Sequence, residues 1–468
     1  MAQIQPSEGA STAPAGCDLT QWLVRRATSL RYDALPPDVA RIAGHCLLDW
    51  FGVALAGWSD PLIRALIEDV QEEGGHPLAT LVGSGDKVGL TQAAIVNGAA
   101  SHVLDFDDVH TKSRVHPSAP LFSAILAVAE ARKLTGKAIV TAFVAAVEVQ
   151  SRLGAFMGDD HYAAGWHNTA TLGSFGAATA VGCLLGLDEK TLCHALGITG
   201  TMASGLRASF GTMCKPLQVG RASANGLLAA KLAARGVGSC DDIVGRADGF
   251  GATFGRRRSA EAAMANPEDF EVRRILFKYH ASCFGTHAPI EAAREIRQGL
   301  NGFQHIAAIE VTVEPQYLSV CNFTEPRTET EAKFSIAHTV ALALCEQSTS
   351  AAESFSVQCI NDAEIADMRR RVVVKGSSEI RRANASVQVA LMDGTTRIAR
   401  ADANLAERKL DRQQQRLESK FRSLTKGLLD TRVQDGIIAA CRGVDRLGEV
   451  SRLTAMGRIA HAARHDTP

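Results

Sequence analysis

The chain has 468 residues, 46% hydrophobic and 21% charged, the composition of a soluble globular protein with room for two or three domains. Lys plus Arg and Asp plus Glu each total 50, so no overall field draws it to nucleic acid or to a membrane surface, and any anion must be held by a local cluster. Eleven cysteines are scattered without a C-x-x-C pair, which argues against a disulfide framework or structural zinc and for buried thiols in a reducing cytoplasm.

Residues 1–17 read as a disordered tail, rich in Ala, Ser, Pro and Gly, without the basic-then-apolar order of a secretory signal. Asp18 is the expected cap of a first helix reaching about Leu30. Pro36 and Pro37 open a second, ended by Gly57, and Pro61 opens a third. Ala79–Val82 reads as a short strand. Thr91–Val103, rich in small residues, reads as a helix deep in a bundle. Leu121–Lys133 and Lys137–Leu153 are apolar around most of their circumference, as interior helices are. The longest apolar run, Ala138–Val147, is half a membrane span and is closed by Glu148, so a soluble cytoplasmic protein is expected. Helices are expected over about 170–185, 189–205 and 217–234. The pattern changes near 267: Ala307–Val313 alternates like a strand, Thr328–Cys345 reads as one helix, and Asp393-Gly394 between two β-rich runs signals a hairpin. Helical patterning returns after about 403. The expected fold is therefore mainly α: a tail over 1–17, a large helical domain over 18–267 and 403–468, and a smaller α+β domain inserted over 268–402.

Five polar clusters interrupt the apolar background. The densest is Asp105-Phe106-Asp107-Asp108 with His110 and His116, set between two segments that read as buried helices. Such a block is costly unless it lines a cavity or is paired internally. The others are His161 to Asn168, Lys215, Lys278 to His287, and Tyr317 to Arg327. Lys215 falls at the start of a helix, where a lysine is unfavourable unless it and the helix end both face an anion. Together the clusters suggest a site that binds carboxylates through Lys and His and moves a proton alpha to one of them. No phosphate loop, dinucleotide fingerprint or metal-ligand spacing is present.

From about 18 to 460 the sequence resembles the MmgE/PrpD superfamily. The resemblance rests on the order of Asp105-Phe106-Asp107-Asp108, His116-Pro117-Ser118, Gly165-Trp166-His167 before Gly173, Lys215-Pro216, Lys278 through His287, and Glu331-Ala332-Lys333-Phe334-Ser335. It implies a helical domain formed from both chain ends with a lid domain inserted, a homodimer, no metal or organic cofactor, and a site in the cleft between the domains. By position Asp105, His116, His167, Lys215, Lys278 and, less closely, Tyr317 match catalytic residues of the superfamily's cis-aconitate decarboxylases. The substrate-binding set is expected to be Lys215, Lys278, His116, His287, Arg327 and Cys283, with His167 moving the proton and Asp105 supporting it. Two departures stand out: Val109 where many relatives carry Thr, and Cys283 where the decarboxylase has a catalytic His. The expectation is a cofactor-independent lyase or isomerase acting on a small di- or tricarboxylate, 2-methylcitrate dehydratase-like. The alternatives are an iminodisuccinate-type epimerase, a cis-aconitate-type decarboxylase and a non-catalytic carboxylate-binding homologue.

Overall fold

The structure, a computed structural model, describes residues 19–256 and 258–459. The tail and the Asp18 cap lie outside these. The fold is mainly α, with twenty α-helices and a few small sheets among the described residues. The described residues form two compact units: the first runs to Ile275 and resumes at Lys409, and the second spans Leu276–Arg408.

Nine helices open unit one: α1 (Leu19–Ser29), α2 (Pro37–Ala56), α3 (Pro61–Glu73), α4 (Leu90–Ala100), α5 (Ser118–Ala131), α6 (Gly136–Ala163), α7 (Asn168–Leu184), α8 (Glu189–Met202) and α9 (Cys214–Ala233). The strand expected over Ala79–Val82 shrinks to Ala79–Thr80, paired with Lys87–Val88. Helix α6 continues past its expected end at Leu153 to Ala163, with Glu148 buried in its interior. Two arginines neutralise that buried carboxylate: Arg26 Nε at 2.8 Å and, one turn on, Arg152 Nε at 2.9 Å. The helical geometry breaks only at Gly158, whose φ of 61° suits a residue without Cβ. Pro37–Ser59 and Gly136–Ala163 are long and apolar enough to cross a membrane by length and composition, and both are mostly buried inside this unit.

Small residues set the helix spacing around the site. A Cβ on Gly98 of α4 would lie 2.9 Å from Gly220 Cα of α9, and one on Gly220 would lie 2.3 Å from Ile95 O. This contact brings the C-terminal end of α4 beside the N-terminal end of α9. The chain's last part closes the same unit. Helices Leu410–Leu424 and Thr431–Arg442 pack on α2, with Gly52 against Phe421 and Gly44 against the Cys441 carbonyl.

Unit two is a four-stranded sheet covered by helices. Ile306–Val313 pairs in parallel with Val372–Gly376 on one side and antiparallel with Asn384–Leu391 on the other; Thr396–Asp402 forms the far edge. The Asp393-Gly394 turn joins the last two strands, with Gly394 at φ 83°. Alternate residues Ile309, Val311, Val313, Ala385, Val387 and Val389 are buried, and helix His287–Gln298 lays its apolar face on the sheet. The helix expected over Thr328–Cys345 is two: Glu329–Lys333 and Ile336–Leu344. Ser335 adopts extended backbone between them, and its hydroxyl accepts from His338 N to cap the second.

Candidate functional site

The acidic motif follows the C-terminal end of α4. Asp105 holds a left-handed backbone, φ 47°, which Asp tolerates better than most residues. The turn sends its three carboxylates to different partners. The Asp105 carboxylate receives Lys215 Nζ at 2.8 Å and lies 3.7 Å from His116 Nε2. Asp107 is buried and accepts from His102 Nδ1, at 2.8 Å to Oδ2. His116 Nδ1 lies 3.3 Å from the same oxygen, a charge contact without hydrogen-bond alignment. Asp108 turns inward: Oδ1 accepts from Ser118 N at 3.1 Å and Oδ2 meets Ser118 Oγ at 2.5 Å, which secures the first turn of α5.

Lys215 is the second residue of α9, inside the first turn rather than before it. Its ammonium therefore stands near the positive end of the helix dipole, a position offset by Asp105 and by the face of Phe210, whose centroid is 5.3 Å away. One turn on, Gln218 reaches His167. Gln218 Nε2 donates to Leu206 O at 3.2 Å, which points its Oε1 at His167 Nδ1, 2.8 Å away. Nδ1 thus carries the proton and Nε2 keeps its lone pair. The support expected from Asp105 comes instead from Gln218, because both lysine and glutamine leave the same face of α9. His167 sits just before α7. Burial, then the His102 ring and the Lys215 charge, push its pKa down to about 3, so the imidazole is neutral at neutral pH.

His102, absent from the sequence reading, belongs to this group. Its ring meets His116 edge-on at 4.8 Å and stands 6.1 Å from His167. Burial pushes its pKa down despite the nearby Asp107 charge. Burial opposes ionisation of Asp107 as well, yet the two imidazoles beside it, His102 and His116, outweigh burial and hold the carboxyl well below the usual range. The pair is therefore a neutral imidazole donating Nδ1–H to a carboxylate. His102 Nε2 is left buried without a hydrogen-bond partner.

A second layer lies beneath the motif. Lys420 donates to Asp49 Oδ1 at 2.6 Å and to Phe106 O at 2.7 Å, with its charge over the Phe106 ring. Burial, and then the Asp49 charge, raise the Asp108 pKa to about 8, so Asp108 is largely protonated at neutral pH. Burial and Asp108 also raise the Cys46 thiol.

Two residues counted with these clusters have structural partners instead. His110 bonds Ser113 Oγ at 2.7 Å and Glu271 at 3.1 Å. His161 is held between Phe254 O and Thr171 Oγ1, both at 2.8 Å.

Unit two carries the rest of the expected residues. Lys278 is buried, and its charge, after burial and His280, helps push the His287 pKa well down. His287 stands edge-on to His280, 5.0 Å between centroids, and His280 is fixed by Thr349 Oγ1 at 2.6 Å and Glu291 Oε1 at 2.8 Å. Cys283 hydrogen-bonds the buried Cys321 thiol. Tyr317 is buried with its hydroxyl on Arg382 and the Ala383 backbone, and burial raises its pKa. A Cβ on Gly285 would stand 2.4 Å from the Tyr317 ring, so this packing requires glycine. Arg327 is not with them; it is exposed and lines a different cavity with Arg369 and Arg370.

His102, Asp105, Asp107 and His116 offer the one metal-capable set among the described residues, with ligand atoms all within 4.8 Å of one another. The Lys215 ammonium on Asp105 and the His102 N–H on Asp107 already supply positive charge and donors to both carboxylates. A dication there would meet that ammonium at close range.

The MmgE/PrpD N-terminal domain model matches residues 21–263 and the MmgE/PrpD C-terminal domain model matches 280–445. The chain belongs to the MmgE/PrpD family. Among curated family members, a cis-aconitate decarboxylase of Aspergillus terreus is 26% identical over 477 residues, covering 95% of this chain and 96% of its own. The cis-aconitate decarboxylase of Mus musculus is 26% identical, covering 91% of each chain. The cis-aconitate decarboxylase-like protein oryM of Aspergillus oryzae is 30% identical over 308 residues, 61% of this chain and 63% of its own.

Proposed function

We propose that this chain is a lyase acting on a small tri- or dicarboxylate, and that its reaction starts with removal of a proton alpha to a carboxylate. One observation carries the reading: His167 presents a neutral Nε2 beside an ammonium, with its tautomer fixed by Gln218. A neutral imidazole accepts a proton without first losing one. An arriving dianion offsets the Lys215 charge and so raises the basicity of His167 at the moment of use.

In the proposed mechanism a substrate carboxylate binds Lys215 Nζ, which Asp105 holds in place. His167 Nε2 takes the alpha proton, and the electron pair passes into the carboxylate as an enolate-like intermediate stabilised by Lys215. In a dehydratase the pair then forms the carbon–carbon double bond while the beta hydroxyl leaves, and His116 gives the proton that makes it water. Asp107 and His102 hold His116 from behind, as positioning residues. Lys278 and His287 are proposed to bind carboxylate and Tyr317 to donate a hydrogen bond.

Dehydration of a 2-methylcitrate-like hydroxy acid is the first reading. Decarboxylation is the second, favoured by near full-length relatives named cis-aconitate decarboxylases. Cys283 weighs against it, because a thiol paired with Cys321 does not supply the near-neutral proton donor that an imidazole would. Epimerisation uses the same first step, with reprotonation on the opposite face. Proton NMR in heavy water with 2-methylcitrate, citrate, cis-aconitate and iminodisuccinate separates these. Dehydration consumes the first and forms the alkene, decarboxylation consumes the third, and epimerisation exchanges the alpha proton of the fourth. A panel in which no substrate changes or exchanges contradicts the proposal.

A further inference from the structure

Unit two contains a cavity of about 400 Å³ that shares no lining residue with either cluster described above. Arg327, Arg369 and Arg370 line it, together with Thr324, Asn361 and a single carboxylate, Glu325. Three guanidiniums against one lining carboxylate make the lining cationic, in a recess whose volume lies in the range of small-molecule sites.

The central arginine is pre-organised. Arg369 Nη1 donates to Ile360 O at 2.9 Å and stands 3.4 Å from His338 Nδ1. His338 Nε2 faces Ser354 O at 3.1 Å, so it carries the ring proton and Nδ1 is the acceptor. Burial keeps His338 neutral, with a pKa pushed down to about 4, so it adds no repulsion of its own. Among the described residues Arg370 pairs with the half-exposed Asp367 at 3.2 Å, a carboxylate it shares with Arg371, which also donates to Ile306 O. Burial and the Arg370 charge both disfavour the charged form of Arg369, with Glu325 opposing them. An anion relieves that repulsion, and paired guanidiniums match the two oxygens of a carboxylate or phosphate.

We propose that this cavity is a second anion-binding site, taking a small molecule with two or more carboxylate or phosphate groups through Arg327, Arg369 and Arg370. Occupancy joins the start of helix Glu329–Lys333, where Arg327 N bonds Glu331 at 2.6 Å, to the end of helix Ala363–Arg370. It thereby stiffens unit two.

Isothermal titration of the full chain with citrate, and separately with pyrophosphate, tests this. The variant is Arg327→Gln with Arg370→Gln, two exposed guanidiniums whose loss leaves the half-buried Arg369 contacts in place. Lys215→Ala is titrated alongside. At least one probe is expected to show a binding event that survives Lys215→Ala and weakens tenfold or more in the double glutamine variant. The double lysine variant, Arg327→Lys with Arg370→Lys, keeps the charge and should retain part of it. Citrate alone marks a carboxylate site; pyrophosphate, alone or with citrate, marks a site that accepts phosphate. The proposal is overturned if wild type binds neither probe beyond what Lys215→Ala removes, or if the double glutamine variant, folded by circular dichroism, binds with unchanged stoichiometry and Kd.

Discussion

Two polar networks grow from the same four-residue motif, and they differ in what they leave unspent. The lower network, Asp108 with Ser118 and Asp49 with Lys420, is buried and draws its partners from the start of α5 and from both ends of the chain. Its charges are matched: one ammonium on one carboxylate, with Asp108 holding its own proton. The upper network is only partly covered at Asp105, His116 and Lys215, and His167, buried behind them, keeps an available Nε2 lone pair. Burial with matched charge makes a structural tie. Partial exposure with an available lone pair makes a candidate for chemistry. The acids of one motif thus divide by depth, and their spacing alone does not say which is which.

The largest effect expected of the lower network is on folding. Lys420→Met leaves the Asp49 carboxylate buried without its ammonium, which should cost about 3–5 kcal/mol in urea unfolding. A loss under about 1 kcal/mol would show that the tie is dispensable and erase the contrast. In the upper network, Lys215→Ala should lower kcat/KM by roughly 10- to 100-fold, the scale of one charge-assisted hydrogen bond, while leaving the urea midpoint near wild type. A variant that loses stability instead of turnover would place Lys215 in the structural class.

Asp108 sharpens the comparison through pH. Its folded pKa of about 8 lies above the ordinary carboxyl value of 3.8. Between about pH 4 and 8 the folded chain keeps a proton that the unfolded chain releases. The stability this group contributes is therefore fully present below about pH 4 and is lost as pH rises through about 8. Asp108→Asn mimics the protonated acid and cannot titrate. Its Tm should fall less between pH 5 and pH 8 than that of wild type; parallel curves would show that Asp108 is ionised in the native state.

The helical bundle was legible because α5 and α6 are apolar on nearly all sides, and the hairpin because Asp393-Gly394 has a local cause. Asp105, His116, His167 and Lys215 were legible as a group through a family resemblance, and they do lie together in unit one. His102 was not, since it follows a helix of small residues and resembles packing until Asp107 turns back to meet it. Asp49–Lys420 joins residues 371 apart, a distance no local pattern spans. Arg327 was grouped with Tyr317 by sequence proximity, but its cavity partners, Arg369 and Arg370, come from a later helix. The break at Ser335 was hidden because Thr328–Cys345 keeps helical periodicity on both sides of a residue that caps rather than continues.

The most direct test of the central claim is deuterium incorporation at the alpha carbon of whichever substrate the enzyme turns over, wild type against His167→Asn. Asn can keep a hydrogen bond to Gln218 but has no basic nitrogen. The account predicts exchange slowed by roughly 10²- to 10⁴-fold at an unchanged melting temperature. Exchange at the wild-type rate in the folded variant would contradict it and move the base elsewhere.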